Sequence, residues 1–426
     1  MCLLKQGVAV ELSLATPPVD RRAVVSLFSR IRTSAGQANP FPFYTDLRAM
    51  GDVFPAPWGG YLVTPYHLCD QVLRDRSWTV PGSEWRTRQE DATRWSAPAS
   101  LQMGDTLPML NPPDHTRMRR SMGNMFDRKS LEIMRESVDR ITERLLDQLT
   151  DELKDGDADF CALVSEELPV MVIGEWLGLP PTDFPLMRSL THDQVFTQEL
   201  FPSRSQLALS DAATSRLREY FTALVQERRK NPGDDPVSTW IRTWDELEPD
   251  RAAADEAVYS LALFVVLAGL ETTSHLLSTM VWLLLEHPRQ LDWLRTHPQH
   301  LPGAIDEVLR YDPPIHMISR IAPEDTYLGD VLIRKDEMVQ LMVGTAHHDP
   351  EKHDAPDLFN IHRKASHLSF GGGIHYCMGA PLARLEATSL LTGLLNRLPD
   401  LQVSGTPVWS PRVAFRRLSE LRVVRS

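Results

Sequence analysis

The chain has 426 residues, 45 of them Lys or Arg and 57 Asp or Glu, giving a net charge of −12; 42% are hydrophobic and 24% charged. This is the balance of an ordinary globular protein, long enough to bury a large core and enclose a cofactor. Its acidic field disfavours nucleic acid as a partner and leaves only a local basic patch open.

The first segment, MCLLKQGVAVELSLATPP, has an apolar run broken by Lys5 and Glu11. It is neither a good signal peptide nor a membrane span, and the chain up to about Ala35 is expected to be loosely ordered ahead of a single domain. Gly60–Thr64 reads as a short strand, followed by a helix over Tyr66–Arg74. Trp78–Leu110, with Pro81, Gly82, Pro98, Gly104 and Pro108, reads as a long irregular loop, often a functional one. Apolar residues then recur at helical spacing through Leu131–Leu153, Leu163–Leu177 and Leu217–Val225. Asp255–His287 predicts a long helix; its apolar stretch is interrupted by Glu271, Ser274 and His275, as expected of a buried core helix rather than a membrane anchor. Leu301–Tyr311 is a shorter helix stopped by Pro313 and Pro314. Strands are expected at Thr326–Leu328, Val331–Ile333 and Met338–Val343, then a helix from beside Cys377 to about Leu398. Val408–Trp409 and Leu421–Val424 read as one small sheet. The expected fold class is mainly α with a small β region assembled from distant segments.

The four cysteines, Cys2, Cys69, Cys161 and Cys377, form no C-x-x-C pair. That argues against disulfide stapling and structural zinc and fits a reducing cytoplasm. Cys377 lies in FGGGIHYCMG, from Phe370 to Gly379. Gly371, Gly372, Gly373 and Gly379 let the backbone approach something closely. The N–H groups of the following helix point toward the sulfur and favour the thiolate, the form that binds metal. On residue chemistry alone three other readings stay open: a buried cysteine in a Gly-rich turn, a Cys–His nucleophilic pair with His375, and a phosphate loop, the last lacking the following Lys-Ser/Thr.

The string F-G-x-G-x-H-x-C-x-G is identified as the haem-binding signature of the cytochrome P-450 family, and every specified position matches. The resemblance implies the triangular, mostly helical fold of that family around haem b (iron protoporphyrin IX). Cys377 would be the axial thiolate, pushing electron density onto iron and favouring O–O cleavage. Phe370 would pack near the sulfur, Gly379 would follow it, and His375 would contact a propionate. LNPPDHTRMRR, from Leu110, resembles another family segment and offers His115 and Arg119 to a propionate; Arg320, within ISRIA, matches a further propionate arginine. Glu307 and Arg310 fit the family's E-x-x-R pair, with Arg363 as third member. AGLETT, from Ala268 to Thr273, resembles the oxygen-activation motif. There Thr272 can back-bond to the carbonyl of Ala268 and distort the helix, Ala268 and Gly269 leave room for a flat cofactor and O2, and Glu271 with Thr272 would deliver protons. The chain departs from the pattern at AHHDP, where His347 and His348 are read as two solvated loop histidines rather than a metal site, and at Asn111 and Asn360, each replacing a frequent Asp.

The function implied is monooxygenation of a small organic substrate with O2, as a tailoring hydroxylation in secondary metabolism. Oxidative ring closure, coupling or desaturation at the same centre is one alternative; a haem-based sensor without turnover is another. No flavin or dinucleotide fingerprint occurs, so electrons are expected from a ferredoxin and its reductase, received near Arg117, Arg120 and Arg384. The protein is expected to be a soluble cytoplasmic monomer. Substrate contacts are expected from Trp85 and Trp95 in the long loop, Leu263 and Leu267, Ile315, His316 and Ile318, and Val413 and Phe415, with His316 hydrogen-bonding a polar group of the ligand.

Overall fold

The computed structural model describes residues 19–89 and 94–426; the first segment read above, Met1–Pro18, and residues 90–93 of the long loop lie outside them. The organising element is the helix Arg251–Glu286, 36 residues long and capped by Asp250, whose side chain accepts from the amide of Ala252. It is apolar all round because it is buried all round. The helices Glu167–Trp176, Phe184–Gln194, Arg204–Lys230, Pro236–Leu247, Leu301–Tyr311 and Ala380–Arg397 all pack against it. Although long and apolar enough to cross a membrane, 67% of its most apolar window is buried inside the protein, so it serves as the core helix expected. Two of its neighbours begin where the sequence supplies caps: Ser203 and Gln206 form a capping box, and Pro236 follows the cap Asp235.

A second core lies under a four-stranded sheet with the order Val53–Pro55, Tyr61–Val63, Met338–Leu341, Ile318–Ile321. Its middle pair is parallel, Tyr61 facing Val339, and the outer pairs are antiparallel. The architecture is the mainly helical one expected, with small sheets built from distant segments.

Several local expectations are corrected. Arg21–Ile31 is a helix with Val24, Leu27, Phe28 and Ile31 buried, so the chain before about Ala35 is ordered there by an apolar face. Trp78–Leu110 contains helices at Ser83–Thr87 and Pro98–Gly104 and a 3-10 turn at Leu107–Met109. The second of these starts at a proline and takes its cap from another helix, the Ala99 amide donating to Asp211 at 2.9 Å. Met338–Leu341 ends as a strand, and Val343–His347 turns helical. The tail forms two sheets: Val408–Trp409 pairs with Leu418–Glu420, and Arg422–Arg425 joins Ala158–Asp159 and Leu401–Val403. Arg412, Val413, Ala414 and Arg416, in the connection between the first two of these strands, are buried, and Leu421 separates the first sheet from the second.

Candidate functional site

The cysteine loop is closed by the Cys377 amide donating to the Phe370 carbonyl at 2.9 Å. Gly371 and Gly373 have φ of 68° and 61°, and a Cβ on Gly373 would stand 2.7 Å from the Leu73 carbonyl oxygen. What Gly373 and its neighbour Gly372 approach is therefore the end of the helix Tyr66–Arg74. Cys377 is exposed by surface area, yet its loop side is crowded with protein. That crowding raises the thiol above its ordinary pKa, while the amides of Gly379 and Ala380 and the charges of Arg119 and Arg384 pull it down. A bound metal would settle this balance toward the thiolate.

The loop rests on a buried ion cluster. Glu307 and Arg310 are both wholly buried and joined by two hydrogen bonds of 2.7 and 2.9 Å. Arg363 donates to Glu307 at 3.3 Å, and the Asn360 amide does so at 3.0 Å. Arg310 also donates to the carbonyls of His347 and Pro356. The Ser369 hydroxyl donates to the Leu309 carbonyl at 2.6 Å, tying the loop to the same helix. The two asparagine departures keep local bonds: Asn360 accepts from the His362 amide, and Asn111 both accepts from and donates to the backbone of Val80.

Beside the cysteine stand four basic side chains. His115 and Arg119 rise from the helix Asp114–Ser121, Arg320 comes from the sheet, and His375 from the loop, its ring centroid 4.3 Å from that of His115. Nε2 of both histidines is buried without a partner. Arg320 is 6% exposed, donates among the described residues to the Ser319 carbonyl, and burial alone lowers it to about 10. Burial, then Arg320, His115 and Arg119, push His375 down to about 3. Four bases brought together without a carboxylate are costly unless an anion joins them. A thiolate-ligated haem, bearing two carboxylates, fits this set: Cys377 for its iron and the four bases for its propionates.

On the core helix, between Ala257 and Val281, Phe264, Ala268, Gly269 and Thr272 are the positions that escape full burial. Phe264, Ala268 and Thr272 form one stripe at four-residue spacing. The Thr272 hydroxyl donates to the Ala268 carbonyl at 2.7 Å, as expected, although the helix continues without a break. Leu263, at 1% exposure, belongs to the core; Phe264 takes its place on the accessible stripe. Gly269 faces Ile173, 3.2 Å from where its Cβ would stand, so its small size serves helix packing rather than a cofactor. Glu271 is buried in an ion network with Arg412 and with His192, 2.8 Å away. Burial works to raise its pKa, but Arg412 and then His192 outweigh it and hold the carboxyl down at about 2.

The other expected contacts divide. Ile315 bridges to Phe415, and both, with Ile318, remain partly accessible. Val413 is buried, and the turn Val413–Phe415 is held by Glu199, whose carboxylate accepts all three of its amides at 2.9, 3.3 and 2.8 Å. Trp85 donates to the Asp336 carbonyl at 3.2 Å and meets Trp95 edge-on. His316 is not available to a ligand: Asp312 lies 3.3 Å from Nε2 and the Tyr44 hydroxyl 3.2 Å from Nδ1. His347 and His348 are wholly buried, not solvated. His347 accepts the Leu368 amide at 2.7 Å, while His348 lies between Asp357 and the Tyr311 carbonyl and stacks on Tyr44. No cluster of metal-binding side chains occurs among the described residues. Arg117 pairs with Glu248 and Arg384 with Asp306; Arg120 stays exposed.

These buried histidines give a pH dependence. Burial, the leading cause in each, lowers His275 and His353 to about 4 and also lowers His347 and His348. In the unfolded chain each takes a proton near its ordinary value of about 6.5, so stability is present above that pH and lost as pH falls toward 4. His275 alone corresponds to about 2 to 3 kcal/mol at pH ~4.5. The melting temperature should fall steeply between pH ~7 and ~4.5; a flat profile would refute neutral burial.

A family model described as "Cytochrome P450" matches residues 186–399. The chain is 34% identical over 395 residues to "Cytochrome P450 monooxygenase PikC" of Streptomyces venezuelae, covering 91% of each. It is 32% identical over 385 residues to "Polyketide biosynthesis cytochrome P450 PksS" of Bacillus subtilis, covering 89% of this chain and 91% of the relative. Among solved structures, P450BioI in complex with an acyl carrier protein bearing hexadec-9Z-enoic acid superposes with a TM-score of 0.84 at 30% identity, over 92% of this chain and all of that one. With the signature cysteine, the anion-seeking cradle and this likeness over nearly the full length, the chain belongs to the cytochrome P450 family and is an oxygen-incorporating, haem-thiolate oxidoreductase.

Proposed function

We propose that this protein hydroxylates a largely apolar, medium-sized product of secondary metabolism, of the polyketide or acyl-chain class, with electrons from a ferredoxin and its reductase. The observation that carries the chemistry is the accessible Thr272 beside the buried, ionised Glu271 on the stripe begun by Phe264. The substrate class draws on the relative named for polyketide biosynthesis and on the neighbour solved with an acyl carrier protein. Haem b, when bound through Cys377, supplies the activation of O2.

The chain's own residues do the rest. His115, Arg119, Arg320 and His375 hold the propionates and fix the plane of the group. Phe370 and Gly379 flank the sulfur. Ala268 keeps the helix face low enough for O2, and Thr272 with Glu271 holds and passes protons. Phe264, Ile315, Ile318 and Phe415 form an apolar wall that orients the substrate and excludes water. The exposed Arg120 attracts an acidic ferredoxin. The protein works as a cytoplasmic monomer. Proton management by a hydroxyl disfavours a sensor, which needs none.

The test combines binding and turnover. Macrocyclic lactones and long-chain acyl compounds are titrated for a shift of the haem spectrum, and those that bind are turned over with a surrogate ferredoxin and reductase. Hydroxylated product is expected from the wild type. Thr272→Ala should bind equally but divert most electrons to peroxide; full coupling in that variant would remove Thr272 from its role.

A further inference from the structure

We propose that His192 is the proton carrier that serves Glu271 during turnover. The inference rests on the reading that Glu271 and Thr272 deliver protons and adds a residue outside the signature motifs.

His192 sits near the end of the helix Phe184–Gln194. Its Nδ1 lies 2.8 Å from Glu271 Oε2, and its Nε2 lies 3.6 Å from Glu166 Oε2, an ion-pair distance. The Glu271 side chain is 4% exposed and that of His192 is 21% exposed, so the imidazole lies between the buried carboxylate and solvent, although its Nε2 is itself buried. The other charged groups around it are accounted for. Arg412 pairs with the second oxygen of Glu271, Arg417 pairs with Glu166, and Arg188 pairs with the adjacent Glu167.

An arginine does not give up its proton under these conditions. Glu271, held ionised, carries none at rest. Burial works to lower His192, but Glu166 and Glu271 outweigh it and raise its pKa above the ordinary value. His275, which also feels the Glu271 charge, is pushed by burial down to about 4 and holds no proton near neutral pH, so among the described groups facing Glu271 it is His192 that can both hold and release one there.

The step conserves charge. The Nδ1–H bond of the imidazolium breaks and an O–H bond forms at Glu271 Oε2, leaving a neutral imidazole and a neutral carboxyl. Passing that proton on toward Thr272 restores the carboxylate. A hydronium ion from solvent, admitted where the His192 side chain is 21% exposed, re-forms the Nδ1–H bond and leaves water; Nε2, which is buried, keeps its hydrogen throughout. No electrons move in the exchange.

The test uses the holoenzyme with a surrogate ferredoxin and reductase and O2 as the probe. O2 consumption is followed against pH and in deuterated water, alongside an NMR titration of the His192 imidazole. The wild-type rate should fall as pH rises through the pKa measured for that ring. His192→Gln keeps a donor to Glu271 but cannot titrate. It should be slower by about tenfold or more, lose that limb of the profile, and show a larger solvent isotope effect. An unchanged profile in His192→Gln, or a kinetic limb that does not coincide with the ring's titration, overturns the proposal. Glu271→Gln separates the two levels: if it too is unimpaired, the acid–alcohol reading itself fails, whereas an impaired Glu271→Gln beside an unimpaired His192→Gln sinks only the role of His192. Where His192→Gln does not retain haem, Glu166→Gln carries the test. Removing that carboxylate should move the limb to lower pH, and an unmoved limb overturns the proposal.

Discussion

Cys377→Ala should abolish the thiolate-type Soret band of the reduced carbon monoxide complex, while Cys69→Ala and Cys161→Ala keep it. The contrast follows from where the sulfurs lie. Cys69 and Cys161 are buried in packed cores, and burial pushes both thiols far above their ordinary range, so they act as small apolar side chains. Of the three described cysteines Cys377 is the exposed one; burial raises its thiol too, but two helix-start amides and two guanidinium groups oppose that rise. An imidazole-type band in freshly prepared, intact wild-type protein would refute the ligand assignment.

A comparably large effect is expected of Glu307→Ala, although Glu307 belongs to the support beneath the cysteine loop. Its carboxylate is wholly buried and takes hydrogen bonds from Arg310, Arg363 and the Asn360 amide. Removing it leaves the Arg310 charge buried and uncompensated, which costs about 3 to 5 kcal/mol. The helix carrying Arg310 also holds Ser369 of the loop, so haem retention should fall along with the denaturation midpoint. A variant within about 1 kcal/mol of the wild type, with full haem content, would show that the cluster is dispensable.

The sequence was most legible where local pattern and local cause coincide. The helices Tyr66–Arg74 and Leu301–Tyr311 have the bounds expected, because an amphipathic stripe begins and ends within the segment itself. The helix Pro98–Gly104 was hidden in what reads as a loop because its cap, Asp211, is more than a hundred residues away. The cysteine string announced its chemistry, and the third arginine of the Glu307 cluster fell where the family pattern puts it. Partners of motif residues were not readable: Arg412 and His192 meet Glu271 only through the fold. The core helix gave no sign of which face stays accessible, since it is apolar on every side; only the four-residue spacing of Phe264, Ala268 and Thr272 could have pointed to it. His316, His347 and His348 misled for one reason. His316 reads as reaching a ligand and His347 and His348 as solvated, because the sequence does not show the carbonyls, carboxylates, amide and tyrosine that satisfy all three rings in the interior.

Glu199 grips the turn Val413–Phe415 by its main chain, leaving the side chains of that turn unburdened by the task of holding it in place. Any residue with an amide hydrogen fits such a grip. A lineage carrying this arrangement can therefore try new shapes at Phe415, one substitution at a time, on a frame that does not shift beneath them. With Phe415 on the proposed substrate wall, diversity in ligand choice would become a matter of single codons, and the carboxylate that makes it safe need never touch a ligand.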